Sequence, residues 1–209
     1  MGVASGEFVI LCGDSRELMQ SVHDGEVDAV VTDPPYQGFD FHPKTYFETL
    51  DSFLAEMLRC VGSPPRIAIS QPEFRLQQIH KRLGTGSVIK ISDAFDDHRG
   101  DDALFFATNL LSPASVQVKN WSELPRTTHP NPRDINKMAA LIQVMTEPGD
   151  LVLDPFCGSG AIGLAAVLLG RNYIGIELER SRAEDARRRF NELGVSEFDW
   201  RRGRDSNPR

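Results

Sequence analysis

The chain has 209 residues, enough for one α/β domain with a full core and short for two. Hydrophobic residues make up 40% and charged residues 25%, as in ordinary soluble globular proteins, and no apolar run approaches the length of a transmembrane helix. The net charge of −7 argues against a broad basic footprint, so any contact with nucleic acid has to come from local patches or from a partner.

Short apolar runs alternate with amphipathic stretches along the chain. Residues 8–12 read as a strand closed by Gly13-Asp14, residues 15–22 as a short helix, and residues 29–32 as a buried strand. Residues 44–60 carry Tyr46, Phe47, Leu50, Phe53, Leu54, Met57 and Leu58 at helical spacing. A strand is expected at 66–70, a helix at 73–83 stopped by Gly84, and strands at 87–91 and 103–108. Asp134 should cap a helix over 134–145. Residues 151–153, 161–169, 173–178 and 182–193 complete a strand-helix-strand-helix unit, with Gly170 and Gly194 as stops. Repeated βα units predict a largely parallel sheet with helices on both faces. Residues 92–102 and 112–132 read as loops, and the basic tail 196–209 as disordered.

Two motifs carry chemistry, and each follows a strand. The first is Asp154-Pro155-Phe156-Cys157-Gly158-Ser159-Gly160, which with Gly163 also fits G-x-G-x-x-G. Glycines at a strand-to-helix turn let the backbone approach a ligand closely. Glu177 follows Gly160 by 17 positions, at the end of the next strand, where an acid can accept both ribose hydroxyls of an adenosine. Taken alone, this pattern suits a dinucleotide equally well.

The second motif, Asp33-Pro34-Pro35-Tyr36, is more specific. Two prolines fix the backbone after a buried strand and remove two N–H donors. The Asp33 carboxylate and the Pro34 carbonyl then form a pair of acceptors, with Tyr36 as a flat face beside them. A nucleobase amine needs that pair, because its lone pair is delocalised into the ring. Acceptors on both N–H groups favour a pyramidal nitrogen whose lone pair can meet an electrophile. The implied catalysis is orientation plus electrostatics, without a covalent intermediate on the enzyme.

With both motifs in view, the chain resembles the DNA amino-methyltransferases that use S-adenosylmethionine, in the β-class order with DPPY first and F-x-G-x-G last. The resemblance covers residues 8–83 and 129–193. It implies a Rossmann-like, doubly wound, mixed but mostly parallel seven-stranded sheet in circularly permuted methyltransferase order. The catalytic domain would span 7–195, with 92–132 as a short target-recognition region. It implies catalytic Asp33, Pro34, Pro35 and Tyr36, and cofactor contacts from Asp154, Pro155, Phe156, Gly158, Ser159, Gly160 and Glu177. Asp14 would contact the adenine. His129-Pro130 matches the family's His-Pro segment at the methionine end of the cofactor; the lysine that follows there is absent, leaving Arg133 or Lys137 to take its place. In this family's sheet the 151–153 strand is central, with the 173 and 8 strands on one side and the 29 strand on the other. The switch in strand order then falls between Asp154 and Asp33, where ligands bind.

A base in duplex DNA must flip out to reach such a site. Tyr36 would stack on it, with Phe39 and Phe41 as secondary candidates. Cytosine C5 chemistry is disfavoured, because it needs a nucleophilic thiol in a Pro-Cys context; Cys157 reads as a packing residue. Asp at the first motif position favours adenine N6 over cytosine N4 in this family. RNA is a second candidate polymer, and a homodimer and a cognate restriction enzyme are family expectations. Cys12, Cys60 and Cys157 are odd in number and lack CxxC spacing, which reads as reduced thiols in a cytoplasmic protein, and residues 1–7 lack secretory features. Two other classes compete: a dinucleotide-dependent oxidoreductase, which leaves Asp33-Pro34-Pro35-Tyr36 unexplained, and a partner-dependent methyltransferase-like module, motivated by the acidic charge. The acidic 92–102 stretch reads as a solvated loop; a metal site at Asp96, Asp97, His98 and Asp101 lacks distinctive ligand spacing. Candidate phosphate contacts are Lys119, Arg126, Arg133 and Lys137, then His80, Lys81 and Arg82. The run Arg187-Arg188-Arg189 reads as a solvated helix face.

Overall fold

Two tetrads, Ala29–Thr32 and Ile67–Ser70, are buried at every position, which is the pattern of strands covered on both faces. The computed structural model describes residues 6–34, 43–70, 73–91, 103–111, 121, 124–127 and 133–199. They form the strands β1 (Phe8–Cys12), β2 (Ala29–Thr32), β3 (Ile67–Ser70), β4 (Ser87–Ile91), β5 (Ala103–Ala107), β6 (Leu151–Asp154) and β7 (Asn172–Glu177). The helices are α1 (Ser15–Leu18), α2 (Pro43–Cys60), α3 (Glu73–Leu83), α4 (Ile135–Met145), α5 (Ala161–Leu168) and α6 (Arg180–Glu192).

One seven-stranded sheet runs in the order β1-β7-β6-β2-β3-β5-β4. The first five strands are mutually parallel, and β5 runs antiparallel to both β3 and β4. From β6 the sheet extends through β7 to β1 on one side and through β2 to β3 on the other, so strand order reverses between β6 and β2. There Ala29 pairs with Val152 and Val30 with Leu153. This is the sheet and the switch point that the resemblance implied.

Alternation along the strands sends neighbouring residues to opposite faces. Phe8, Ile10, Val31, Phe105 and Tyr173 pack with Met138, Leu141, Leu164 and Phe190, so α4, α5 and α6 cover that face. Val9, Val30, Ile69, Phe106 and Ile174 pack with Phe53, Met57 and Ile79, so α2 and α3 cover the other. Burying each such side chain contributes about 1.5–3 kcal/mol.

Most element boundaries match expectation to within two residues. Asp134 is the N-cap of α4 and accepts from the Asn136 N–H at 2.7 Å. The helix expected over 15–22 differs. It makes one α turn and then tightens into a 3₁₀ turn at Met19–Ser21. Arg59 explains the early end: its guanidinium donates to the Met19 and Val22 carbonyls, each at 2.7 Å, and fixes an extended exit at Val22. The tail expected to be disordered over 196–209 is ordered at its start: Phe8 N–H donates to the Ser196 carbonyl at 3.1 Å, Phe198 N–H donates to the Phe8 carbonyl at 3.0 Å, and Phe198 packs against the core, because the chain runs on beside β1. The rest of that tail, the acidic stretch 92–102, Lys119 and the His129-Pro130 segment lie outside the described residues. Among the described residues no helix is long and apolar enough to cross a membrane, and no cluster of three or more His, Cys, Asp or Glu side chains could hold a metal ion.

Candidate active site

The glycine loop begins where β6 ends. Gly160 adopts φ 81°, in the left-handed region, and a Cβ there would lie 2.9 Å from the Phe190 ring, so glycine is required on both counts. Three residues on, a Cβ at Gly163 would lie 2.2 Å from the Tyr173 ring, which shows how closely α5 rests on β7.

Three strand tips join into one rim. Gly13 N–H after β1 donates to the Glu177 carbonyl at 2.9 Å, Cys157 N–H after β6 donates to the Ile176 carbonyl at 2.9 Å, and the Ser15 hydroxyl donates to the Pro155 carbonyl. Glu177 closes this rim. Its carboxylate accepts from Gly158 N–H at 2.9 Å and Glu179 N–H at 2.8 Å. A carboxylate offers about four lone-pair sites, so two backbone bonds do not exhaust it. Leu178 beside it is 52% exposed, a large apolar side chain at a strand tip. A carboxylate for a diol next to an apolar side chain is a set of groups that fits an adenosine.

Asp14 stands on the same rim as the N-cap of α1, accepting from Arg16 N–H at 2.9 Å. The Arg16 guanidinium, 2.6 Å from its carboxylate, holds the Asp14 carboxyl below the usual range.

Asp154 is 1% exposed and bridges three strands. It accepts from the Thr32 hydroxyl at 2.7 Å, the Phe156 N–H at 3.1 Å and the Tyr173 hydroxyl at 3.1 Å. Burial pushes its pKa up to about 7; the three donors oppose that rise, and the nearby charge of Asp33 adds to it. Thr32 immediately precedes Asp33. The Thr32–Asp154 bond therefore ties the root of one motif to the root of the other across the switch point.

Asp33 lies just beyond β2, half-buried, and accepts from Arg133 Nε, with Pro34 buried behind it. Pro35, Tyr36, Phe39, Phe41 and His129 fall outside the described residues. Cys157 is buried, and burial pushes its thiol pKa well up, consistent with a packing role.

One further sequence expectation needs correction. Arg133, read as a phosphate contact or lysine substitute, forms an ion pair with Asp33, and Arg82 forms one with Asp51; the overturned expectation lies in the last helix. The Arg187-Arg188-Arg189 run is not a solvated face. Arg189 is 3% exposed, and Arg187 donates to the Ile10 carbonyl at 2.5 Å. A signal was present: Ala183, Ala186 and Phe190 form the buried stripe of α6, and Arg189 follows Ala186 at the three-residue spacing that keeps a side chain on that face. Thr32 and Tyr173 carried no such signal, since their partner is remote in sequence.

Comparison with known proteins agrees with this geometry. The sequence model of the family described as DNA methylase (N6_N4_Mtase) matches residues 90–188. The protein named "Putative methylase YubD" of Escherichia coli (strain K12) is 37% identical over 215 residues, covering 90% of this chain and 95% of YubD. The chain belongs to the N6/N4 DNA methylase family. The type II methyltransferase M2.MboI of Moraxella bovis is 43% identical over 76 residues, 36% of this chain, and the match spans only 28% of that longer relative. Among solved structures, the M1.HpyAVI–SAM complex superposes with a TM-score of 0.67 at 25% identity, covering 88% of this chain and 99% of that one. The span matched by the N6/N4 methylase model contains the glycine loop and Glu177. Asp33 and Pro34 precede it, so their assignment rests on the motif and on its position beside β6.

Proposed function

We propose that this N6/N4 methylase transfers a methyl group from S-adenosyl-L-methionine to the exocyclic amine of a base flipped out of DNA, with adenine N6 preferred over cytosine N4. One observation carries the reading: the Thr32–Asp154 hydrogen bond of 2.7 Å, which holds the acceptor motif against the glycine loop at the point where strand order reverses. When bound, S-adenosyl-L-methionine supplies an electrophilic methyl group.

The residues of the chain do the rest. Glu177 receives the ribose hydroxyls, and the loop from Pro155 to Gly160, Asp14 and His129 line the remainder of the cofactor site. The Asp33 carboxylate and the Pro34 carbonyl accept the two amine N–H groups. That draws the nitrogen toward a tetrahedral shape and aims its lone pair at the methyl carbon. Arg133 fixes the orientation of the Asp33 carboxylate. Pro35 and Tyr36 complete the pocket, Tyr36 by stacking on the base, and residues 92–132 serve as the target-recognition region.

The test is transfer of labelled methyl groups to unmethylated DNA, followed by nucleoside analysis. N6-methyladenine is the expected product. N4-methylcytosine would keep the mechanism and change the base, and absence of any methylated nucleoside on DNA of varied sequence would overturn the proposal.

A further inference from the structure

Arg189 of α6 is 3% exposed, and among the described residues no carboxylate forms an ion pair with it. Its guanidinium donates to the Ser159 carbonyl at 2.6 Å, the Ser159 hydroxyl at 3.4 Å and the Pro125 carbonyl at 3.0 Å. Burial pulls its pKa down, the direction expected of a cation removed from water. Nothing in the packing of α6 on β1 requires that cost, since Ala183, Ala186 and Phe190 already make the apolar contact. What the cation does is join two segments, the glycine loop at Ser159 and the chain at Pro125.

The neighbouring side chains of α6 hold the same segment. Arg188 donates to the Arg126 carbonyl at 2.6 Å and to Asp185 at 2.6 Å, and Asp185 accepts from the Thr127 hydroxyl at 2.5 Å. Three consecutive residues, Pro125, Arg126 and Thr127, are thus each bonded to α6, whereas the glycine loop is bonded to it through Arg189.

We propose that Arg189, supported by Arg188 and Asp185, is a positioning clamp that locks residues 125–127 to the glycine loop and thereby sets the affinity of the cofactor site. The clamp reaches the cofactor site through the Ser159 carbonyl and hydroxyl and does not involve Asp33. Its loss should therefore weaken cofactor binding far more than it slows transfer at saturating cofactor. This inference rests on the methyltransferase reading above.

The experiment measures the Kd of S-adenosylmethionine by calorimetry, the melting temperature, and kcat and KM on DNA for the wild type, Arg189→Met and Arg189→Lys. Arg189→Met keeps the length and apolar stem and removes every donor. It is expected to raise Kd and the cofactor KM at least tenfold with a much smaller change in kcat, and Arg189→Lys, which keeps the charge, should recover part of the affinity. A purely structural role would lower the melting temperature and leave Kd unchanged in the folded fraction. If Arg189→Met does not fold, the double variant Thr127→Val/Arg188→Met decides, because it opens the clamp from its solvent side and should raise Kd severalfold. Unchanged Kd in a folded variant overturns the clamp alone. A wild-type chain that binds no S-adenosylmethionine overturns the methyltransferase reading and the clamp with it.

Discussion

Asp154→Asn separates two things that the buried carboxyl does. The amide fits the hydrogen-bond pattern: Oδ1 can still accept from the Thr32 hydroxyl at 2.7 Å and the Phe156 N–H at 3.1 Å, and the new NH₂ can donate to the Tyr173 oxygen now 3.1 Å from Oδ2. What the substitution removes is ionisation. The folded-state pKa is raised, to about 7 from an ordinary 3.8. The folded protein therefore binds a proton that the unfolded chain has already lost over that interval. The stabilisation is fully present below pH 3.8 and is lost as pH rises through 7. The loss is about 1.4 kcal/mol per pH unit near pH 5 to 6 and halves by pH 7, where the folded group is half ionised, so the stability of wild type should fall by roughly 2 kcal/mol relative to the Asn variant between pH 5 and pH 7. Urea denaturation of both ligand-free proteins from pH 5 to pH 8 measures this difference, and groups common to both cancel. Parallel stability curves would refute the reasoning, because they would mean that Asp154 ionises without penalty in the fold.

If Asp33 accepts the amine N–H as proposed, Asp33→Ala should lower kcat by about 10²–10³ or more while the Kd for S-adenosylmethionine stays near wild type; single-turnover methyl transfer and calorimetry check the two halves. Glu177→Ala removes two backbone hydrogen bonds to a charged acceptor, each worth about 1.5–3 kcal/mol, so it should lower the melting temperature and also abolish measurable cofactor binding. Gly163→Ala would drive a methyl group into the Tyr173 ring and should cost about 1–3 kcal/mol in denaturant unfolding, whereas the same change at Gly62, whose nearest neighbour would lie 3.7 Å from the new Cβ, makes only ordinary contact.

The fold was legible because its signals are local. Short apolar runs ending in Gly-Asp, Asp-Pro-Pro or Asp-Pro-Phe mark the tips of β1, β2 and β6, and the βα rhythm predicts parallel pairing. The failures arose where a remote partner overrides the local pattern. The turn after α1 tightens because Arg59, forty positions away from Met19, takes its carbonyl. The Arg187-Arg188-Arg189 run was read from charge alone, although the helical phase of Ala183, Ala186 and Phe190 puts the third arginine inside. The Asp33–Arg133 pair joins residues 100 positions apart and the Thr32–Asp154 bond joins residues 122 apart, and no pattern within either segment announces the other.

That separation also accounts for why the two motifs can lie far apart in the chain and still act together. A parallel sheet puts every strand's C-terminal end on one edge, so any two motifs that follow strands share that edge, and strand order alone decides their distance. Here β2 and β6 are direct neighbours, paired at Ala29–Val152 and Val30–Leu153. Adjacency alone fixes only the backbones, however. Transfer of a methyl group needs donor and amine held to within a fraction of an ångström. A hydrogen bond between the last residue of β2 and the last residue of β6, buried from water and shared with Tyr173 on the next strand, supplies that constraint. On the proposed mechanism, Thr32→Val, which keeps the shape of the side chain and deletes the hydroxyl, should slow transfer without removing either the Asp33 or the Glu177 carboxylate. The expected signature is a fall in kcat of about tenfold, the equivalent of 1.4 kcal/mol in the barrier, with cofactor Kd nearly unchanged. An unaltered kcat in a folded Thr32→Val protein would mean that pairing of the two strands is sufficient by itself.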